Sequence, residues 1–70
     1  MKAASGKELA KILERYGWVC LRINGSHHIY GKPGSIVRLS VPIHGNMTLK
    51  LGLQNHLLKS AGLTEKDIEQ

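Results

Sequence analysis

Two adjacent histidines follow a turn signal near the middle of this chain. Asn24-Gly25 is a residue pair strongly preferred in tight hairpin turns, and His27 and His28 come directly after it. An imidazole can take up and release a proton near neutral pH, because its unperturbed pKa is about 6.5. The segment therefore offers general acid–base chemistry, and His27 is the residue that we expect to carry it.

The turn also predicts which histidine faces solvent. With Asn24-Gly25 as a two-residue loop, Arg22 lies opposite His27 in the hairpin. Leu21 then lies opposite His28, so His28 should face the core. The first strand contributes an apolar row to that face: Val19, Leu21 and Ile23, which Tyr30 joins from the second strand. A four-residue loop gives the same facing, whereas a three-residue loop reverses it.

Basic and polar side chains surround His27 on the face that the helices leave open. Alternation along the strands predicts the members of this face: Arg22, His27, Arg38, Ser40 and His44, with Trp18 and Cys20 nearby. Attack of a 2′-hydroxyl on a phosphate needs a base, an acid and positive charge on the phosphate oxygens. Arg22, Arg38 or Lys32 could supply that charge.

The elements that position these residues can be read from local signals. Ser5 and Glu8 have capping-box spacing, and Gly17 follows the apolar stripe as a stop signal. Pro42 should mark a strand end or an edge strand. The sequence predicts a helix over residues 6–16 and strands over 18–23, 27–31 and 36–43. Lys32-Pro33-Gly34-Ser35 should form a type II turn before the third strand. A second helix should follow a Thr48 cap and end at Gly62, and Thr64 should cap a short final helical turn. This order predicts an α+β, α-β-β-β-α two-layer sandwich with a three-stranded antiparallel sheet and two helices on one face.

Composition restricts the class of protein further. A chain of seventy residues should form one domain, residues 1–70. The net charge of +5 and the pI near 9.7 favour a polyanionic partner. Nucleic acid is the first candidate and an acidic protein the second. A lone Cys20 excludes an intramolecular disulfide, and the N-terminal segment is charged rather than signal-like. No window is apolar enough to span a membrane. We therefore expect a cytoplasmic protein.

Each histidine also has a structural interpretation. His28 can be a partly buried structural residue, His44 can simply end a strand, and His56 should lie exposed on the second helix. No two histidines have the helical i, i+4 spacing, and the sequence has no C-x-x-C motif, which argues against a zinc site. We expect no cofactor.

Three segments, taken together and in order, carry a family resemblance. They are Gly-Ser-His-His-Ile-Tyr at 25–30, Val-Pro-Ile-His at 41–44, and Leu-Leu-Lys-Ser-Ala-Gly-Leu-Thr at 57–64. They resemble the HicA toxin family, also called YcfA-like, and the resemblance runs from Ser5 to Ile68. The α-β-β-β-α order is similar to the double-stranded-RNA-binding-domain-like fold.

The resemblance implies the toxin of a type II toxin–antitoxin system, a ribonuclease that cleaves mRNA. The family's catalytic histidine maps to His27, and acid–base chemistry at this residue would need no metal. We expect these residues to bind RNA: Arg22, Ser26, Lys32, Arg38 and His44. The implied protein partner is a HicB-type antitoxin, which we expect to be acidic and to cover His27. DNA binding is not expected. The alternatives are a non-catalytic RNA-binding module of the same fold and a protein-interaction adaptor.

Overall fold

A computed structural model describes residues 3–69, which form three helices and one three-stranded sheet. The elements follow in this order: α1 (Gly6–Arg15), β1 (Val19–Asn24), β2 (His27–Gly31), β3 (Leu39–Pro42), α2 (Leu51–Ser60) and α3 (Glu65–Glu69). The sheet has the order β1-β2-β3, and both strand pairs are antiparallel. Tyr30, Leu39 and Val41 are buried on one sheet face together with side chains of α1 and α2. The predicted α+β two-layer architecture is confirmed.

α1 begins and ends close to its local signals. Ser5 Oγ accepts a hydrogen bond from the Glu8 amide at 3.1 Å, and Glu8 Oε1 accepts one from the Ser5 amide at 3.0 Å. This is the reciprocal capping box that the sequence predicts. The helix ends at Arg15, one residue early, because Tyr16 is its C-cap and Gly17 follows with a φ of +93°.

The hairpin loop lies one residue later than predicted, which shifts the strand pairing by two residues. Asn24 pairs with His27 and Ile23 pairs with His28, so Gly25 and Ser26 are the loop residues. Gly25 has a φ of +63°, and no other residue of the turn has a positive φ. That pattern belongs to a type II′ turn, with glycine first, rather than to the type I′ turn that Asn24-Gly25 would form. A register shift of two residues leaves the side chains of β2 on their predicted faces.

A β-bulge in β1 overturns the predicted facing of that strand. The register shifts between Cys20, which pairs with Tyr30, and Arg22, which pairs with Ile29. The extra residue, Leu21, reverses the alternation on its N-terminal side. The predicted apolar row is wrong, since all three of its β1 members are exposed: Val19, Leu21 and Ile23. The bulge accounts for Val19 and Leu21. Ile23 lies on the C-terminal side of the bulge, where it pairs with the half-buried His28, and it is exposed near the end of an edge strand. Trp18 and Cys20 were expected beside the open face, but Trp18 is buried in the core and Cys20 packs against it.

β3 is shorter than predicted, because the residues before it form hydrogen bonds with one another. The Ser35 amide bonds to the Lys32 carbonyl at 3.0 Å, which closes the predicted turn. Ser35 Oγ then accepts a bond from the Val37 amide at 3.1 Å. Residues 36–38 are outside the strand, and Val37 is exposed. Pro42 ends β3, which is an edge strand, as expected of a residue that cannot donate to a ladder.

Thr48 does not cap α2. It forms an antiparallel bridge with Ser5, and the next amide, that of Leu49, bonds to the Ala4 carbonyl at 2.8 Å. Because the pairing holds this segment extended, the helix begins at Leu51, and its N-cap, Lys50, makes no side-chain cap bond. Tertiary pairing has overridden the local cap signal.

Hydrogen bonds connect α2 and β2 to the N-terminal part of the chain. The fully buried Gln54 of α2 accepts a hydrogen bond from the Ala4 amide at 2.8 Å. The Tyr30 hydroxyl donates to Glu14 Oε2 of α1 at 3.2 Å, and burial, with the Glu14 carboxylate, raises the pKa of Tyr30 to about 12. These contacts anchor β2 and α2 to the N-terminal part of the chain.

Candidate active site on the open face of the sheet

His27 is exposed at the start of β2, on the face that the helices leave free. It lies between Asn24 of β1 and Pro42 of β3. Its Nδ1 atom lies 3.1 Å from Ser40 Oγ, within hydrogen-bonding distance. A partner on Nδ1 orients the ring and leaves Nε2 for a substrate, because the two ring nitrogens are chemically distinct. The serine hydroxyl can donate or accept, so it accommodates either ring tautomer.

His28 lies on the opposite side of the strand from its neighbour. It is half-buried and pairs with Ile23 and with the fully buried Val41. Strand alternation, which sends successive side chains to opposite faces, separates the two imidazoles. The facing of both histidines is therefore as predicted, although the turn that led to the prediction is of another type.

Ser26 and His44 meet at the same end of the sheet. Ser26 Oγ lies 3.2 Å from His44 Nε2, and the Ser26 carbonyl accepts a bond from the Ile43 amide at 2.8 Å. The chain after β3 is thereby held beside the hairpin turn. We call the group of Ser26, His27, Ser40 and His44 the histidine end of the sheet.

Arg22 and Arg38 lie farther along the open face. They line a shallow depression together with Leu21 and Ile29. Ile29 is two residues from His27 along β2, which corresponds to roughly 7 Å. Among the residues that line this depression, none of those described is acidic. The two guanidinium groups therefore give the middle of the open face a positive charge.

Lys32 lies beyond the far end of β2, so the fold does not bring it to His27. Its Nζ atom lies 5.9 Å from the centroid of the Trp18 ring, which is within cation–π range. The four-residue separation of His27 from Gly31 amounts to roughly 13 Å along the strand. Lys32 can contact a long polyanion at this distance, but not the phosphate nearest to His27.

Sequence reasoning put Ser40 on the open face but gave it no role. The contact with His27 needs the strand register, in which Ser40 pairs with Ile29 beside the His27–Pro42 pair. Asn24 lies directly opposite His27, a position that a type I′ turn at Asn24-Gly25 does not predict, because such a turn places Asn24 in the loop. The only signal available for Ser40 was its alternation with the apolar residues of β3.

Two further findings concern metal binding and membrane insertion by the described residues. Within residues 3–69, no group of three or more histidine, cysteine, aspartate or glutamate side chains is arranged to hold a metal ion. None of the helices in that part of the chain has both the length and the apolar composition needed to cross a lipid bilayer.

Comparison with known protein families identifies the family of this chain. A model of the family described as the HicA toxin of bacterial toxin–antitoxin systems matches residues 6–63, which is well over half of the chain. No curated protein matches the sequence significantly. The matched range contains the hairpin, all three strands and the histidine end, together with α2. The chain therefore belongs to the HicA toxin family of toxin–antitoxin systems.

Proposed function

We propose that this protein is an endoribonuclease toxin that cleaves mRNA and uses His27 for proton transfer. Family membership establishes a toxin with a cognate antitoxin. The observation that carries the enzymatic proposal is the setting of His27, an exposed imidazole with Nδ1 held 3.1 Å from Ser40 and Nε2 left for substrate. This setting suits an acid–base residue better than a core histidine.

In the proposed reaction, His27 Nε2 removes the proton from a ribose 2′-hydroxyl. The 2′-oxygen attacks the adjacent phosphorus, and the bond from phosphorus to the 5′-oxygen breaks, with a proton supplied to that leaving oxygen. His44, the other imidazole of the histidine end, is our candidate for this second transfer. Arg22 and Arg38 would stabilise the charge on the phosphate oxygens, and Ser26 and Lys32 would contact RNA on either side. All of these steps use side chains of this chain alone.

The cognate antitoxin would inhibit by covering this surface. We propose a HicB-type protein whose carboxylates meet Arg22 or Arg38 while its body excludes RNA from His27. Opposite charges across such an interface speed association and favour the correct partner.

The test compares two neighbouring histidines. His27→Ala should lose RNA cleavage by about 10²–10⁴-fold, because proton transfer by a positioned group is worth that much. Its stability should change by no more than about 0.5 kcal/mol, since the side chain is exposed. His28→Ala should show the opposite pattern, with a lower melting temperature and cleavage retained by the folded fraction.

Cleavage of a long unstructured RNA in the presence of chelator, thermal melting and growth arrest are the measurements. Equal cleavage by His27→Ala and the parent chain would contradict the proposal. RNA binding without cleavage by the parent chain would instead support a non-catalytic RNA-binding module. Activity that disappears with chelator would contradict the metal-free mechanism.

A further inference from the structure

A small cleft lies between the end of β3 and the beginning of α2. Its volume is about 240 Å³, and apolar side chains form most of its lining: Pro42, Met47, Leu49 and Leu53. Leu49 is buried and Leu53 packs against the core, whereas Met47 is 68% exposed. The cleft therefore has a fixed apolar floor and one exposed apolar wall.

Three polar side chains complete the lining of the cleft: His44, Thr48 and Lys50. None of the described residues that line it is acidic. A mostly apolar pocket with a few placed polar groups is the usual form of a small-ligand site, in which the polar groups decide which ligand is accepted. The ammonium group of Lys50 favours a ligand that carries negative charge.

Long-range pairing holds the backbone of the cleft in place. Thr48 forms its bridge with Ser5, and the next amide, that of Leu49, bonds to the Ala4 carbonyl at 2.8 Å. The Met47 amide closes the preceding turn with a bond to the His44 carbonyl at 3.0 Å. Because this segment is already ordered, less conformational entropy is lost when a ligand binds.

The cleft adjoins the candidate active site. Pro42 is the strand partner of His27, so their Cα atoms are roughly 5 Å apart. His44 lines the cleft, and its Nε2 atom lies 3.2 Å from Ser26 Oγ within the histidine end. A group bound in the cleft would therefore lie beside the phosphate on which His27 and His44 are proposed to act.

We propose that the cleft is a base-binding subsite, which holds the nucleobase on the 3′ side of the cleaved bond. This assignment rests on the proposed function, in which His44 supplies a proton to the 5′-oxygen of that nucleotide. Apolar side chains can cover the faces of an unstacked base, and the Thr48 hydroxyl can donate to its edge or accept from it. The volume is smaller than that of a drug-sized pocket and suits a single base.

A binding test that needs no cleavage uses the full His27→Ala chain. The probes are the four nucleoside 5′-monophosphates, and ribose 5-phosphate is the matched probe that lacks a base. At least one of the nucleotides should shift the NMR signals of residues 47–53, whereas ribose 5-phosphate at the same concentration should leave them unchanged. Equal shifts with both kinds of probe, or shifts confined to other residues, would overturn the proposal.

A cleavage test measures the contribution of Met47. Met47→Ala should raise the KM for RNA by roughly threefold to tenfold, because the base loses an apolar contact. The matched control is Ile36→Ala, which removes a 96% exposed apolar side chain before β3, at the end of the sheet away from His27. It should change KM by less than about twofold, and melting curves confirm that both variants are folded. Equal KM values for the two variants would contradict a base-binding role for the cleft.

Sequencing of the product ends tests the role of Thr48. The parent chain should prefer one base or base class at the first nucleotide of the 3′ product. Thr48→Val should reduce this preference by roughly twofold to tenfold, the equivalent of one hydrogen bond, and Thr48→Ser should retain it. Cleavage without a preference at this position, or a preference that Thr48→Val leaves unchanged, would overturn the proposal. A chain that binds nucleotides in the cleft but never cleaves RNA would overturn only the proposed function.

Discussion

His27 and His28 show how one strand gives two identical side chains different surroundings. His27 is exposed and lies beside a hydroxyl, whereas His28 is half-buried against Val41. The pleat alone produces this contrast, because successive residues of a strand point to opposite faces. The proposed division of labour follows from it, with His27 free to meet a substrate and His28 contributing to the fold.

Ser40 should act as a positioning residue for His27. We expect Ser40→Ala to lower kcat by roughly twofold to tenfold, the equivalent of one hydrogen bond, with little change in KM for RNA. Ser40→Thr keeps the hydroxyl and should restore most of the rate. The tautomer ratio of His27, read from its ¹⁵N ring shifts, should change in Ser40→Ala and recover in Ser40→Thr.

The tautomer ratio is the companion measurement for Ser40. If Ser40→Ala lowers the rate while the tautomer ratio stays unchanged, Ser40 does not act through the ring. Ser60→Ala, which removes a hydroxyl from α2 outside the histidine end, is the matched serine control.

The facing of His27 could be predicted from sequence even though the turn was wrong. The real register differs from the expected one by two residues, and a shift of two preserves every face. The contact with Ser40 could not be predicted, because it depends on which residues of β2 and β3 lie side by side. Alternation assigns a face to each residue, but it does not choose a neighbour.

At the scale of the elements, local signals were sufficient where the chain folds on itself locally. The capping box at Ser5, the stop at Gly17 and the turn at residues 32–35 all lie where they were predicted. The failures occur where distant segments pair. Thr48 bridges to Ser5 instead of capping a helix, and the bulge at Leu21 turns Val19 and Leu21 of an apparently core-facing row toward solvent.

α3 offers a direct test of how one element is held. The Tyr16 hydroxyl at the end of α1 donates to Asp67 Oδ1 at 2.5 Å, and the Thr64 amide donates to Asp67 Oδ2 at 2.8 Å. The Thr64 amide bond and the Tyr16 hydroxyl bond lower the pKa of the Asp67 carboxyl below its usual 3.8. The same hydrogen bond to Asp67 raises the pKa of Tyr16. The carboxylate therefore joins α3 to α1.

We expect Asp67→Asn to lower the melting temperature at pH 7 and to speed hydrogen exchange at residues 65–68. A carboxyl whose pKa is lower in the folded state stabilises the protein above its unfolded pKa, and this contribution disappears as the pH falls through the folded value. The stability difference between the parent chain and Asp67→Asn should thus be constant down to about pH 5 and shrink below pH 4. A difference that does not change between pH 7 and pH 2 would contradict this account. Tyr30→Phe, which removes a different tyrosine bond to α1, should leave this acid dependence intact.

On the scale of the whole molecule, the two layers divide the tasks of folding and recognition. The helix layer and one sheet face bury the apolar side chains, whereas the other face carries Arg22, Arg38 and the histidine end. The chain as a whole has a net charge of +5. Such a charge attracts polyanions from a distance, and its placement on one face decides where they dock.

The dependence of RNA affinity on salt measures how that charge is used. We expect the affinity of the His27→Ala chain for single-stranded RNA to fall steeply with salt, because each neutralised phosphate releases a counterion. In this background, Arg38→Gln should weaken binding at low salt and reduce the slope of log K against log salt by about 0.7, the value for one phosphate of a single strand.

Arg15→Gln is the matched control, because it removes the same charge from the exposed end of α1 and leaves the sheet face unchanged. If binding depends on the open face, the slope for Arg15→Gln should equal that of the background chain. Equal loss of slope in both variants would mean that net charge alone attracts the RNA, without a defined site. Affinity that does not change with salt would remove the electrostatic basis for RNA recognition and favour a protein-interaction adaptor.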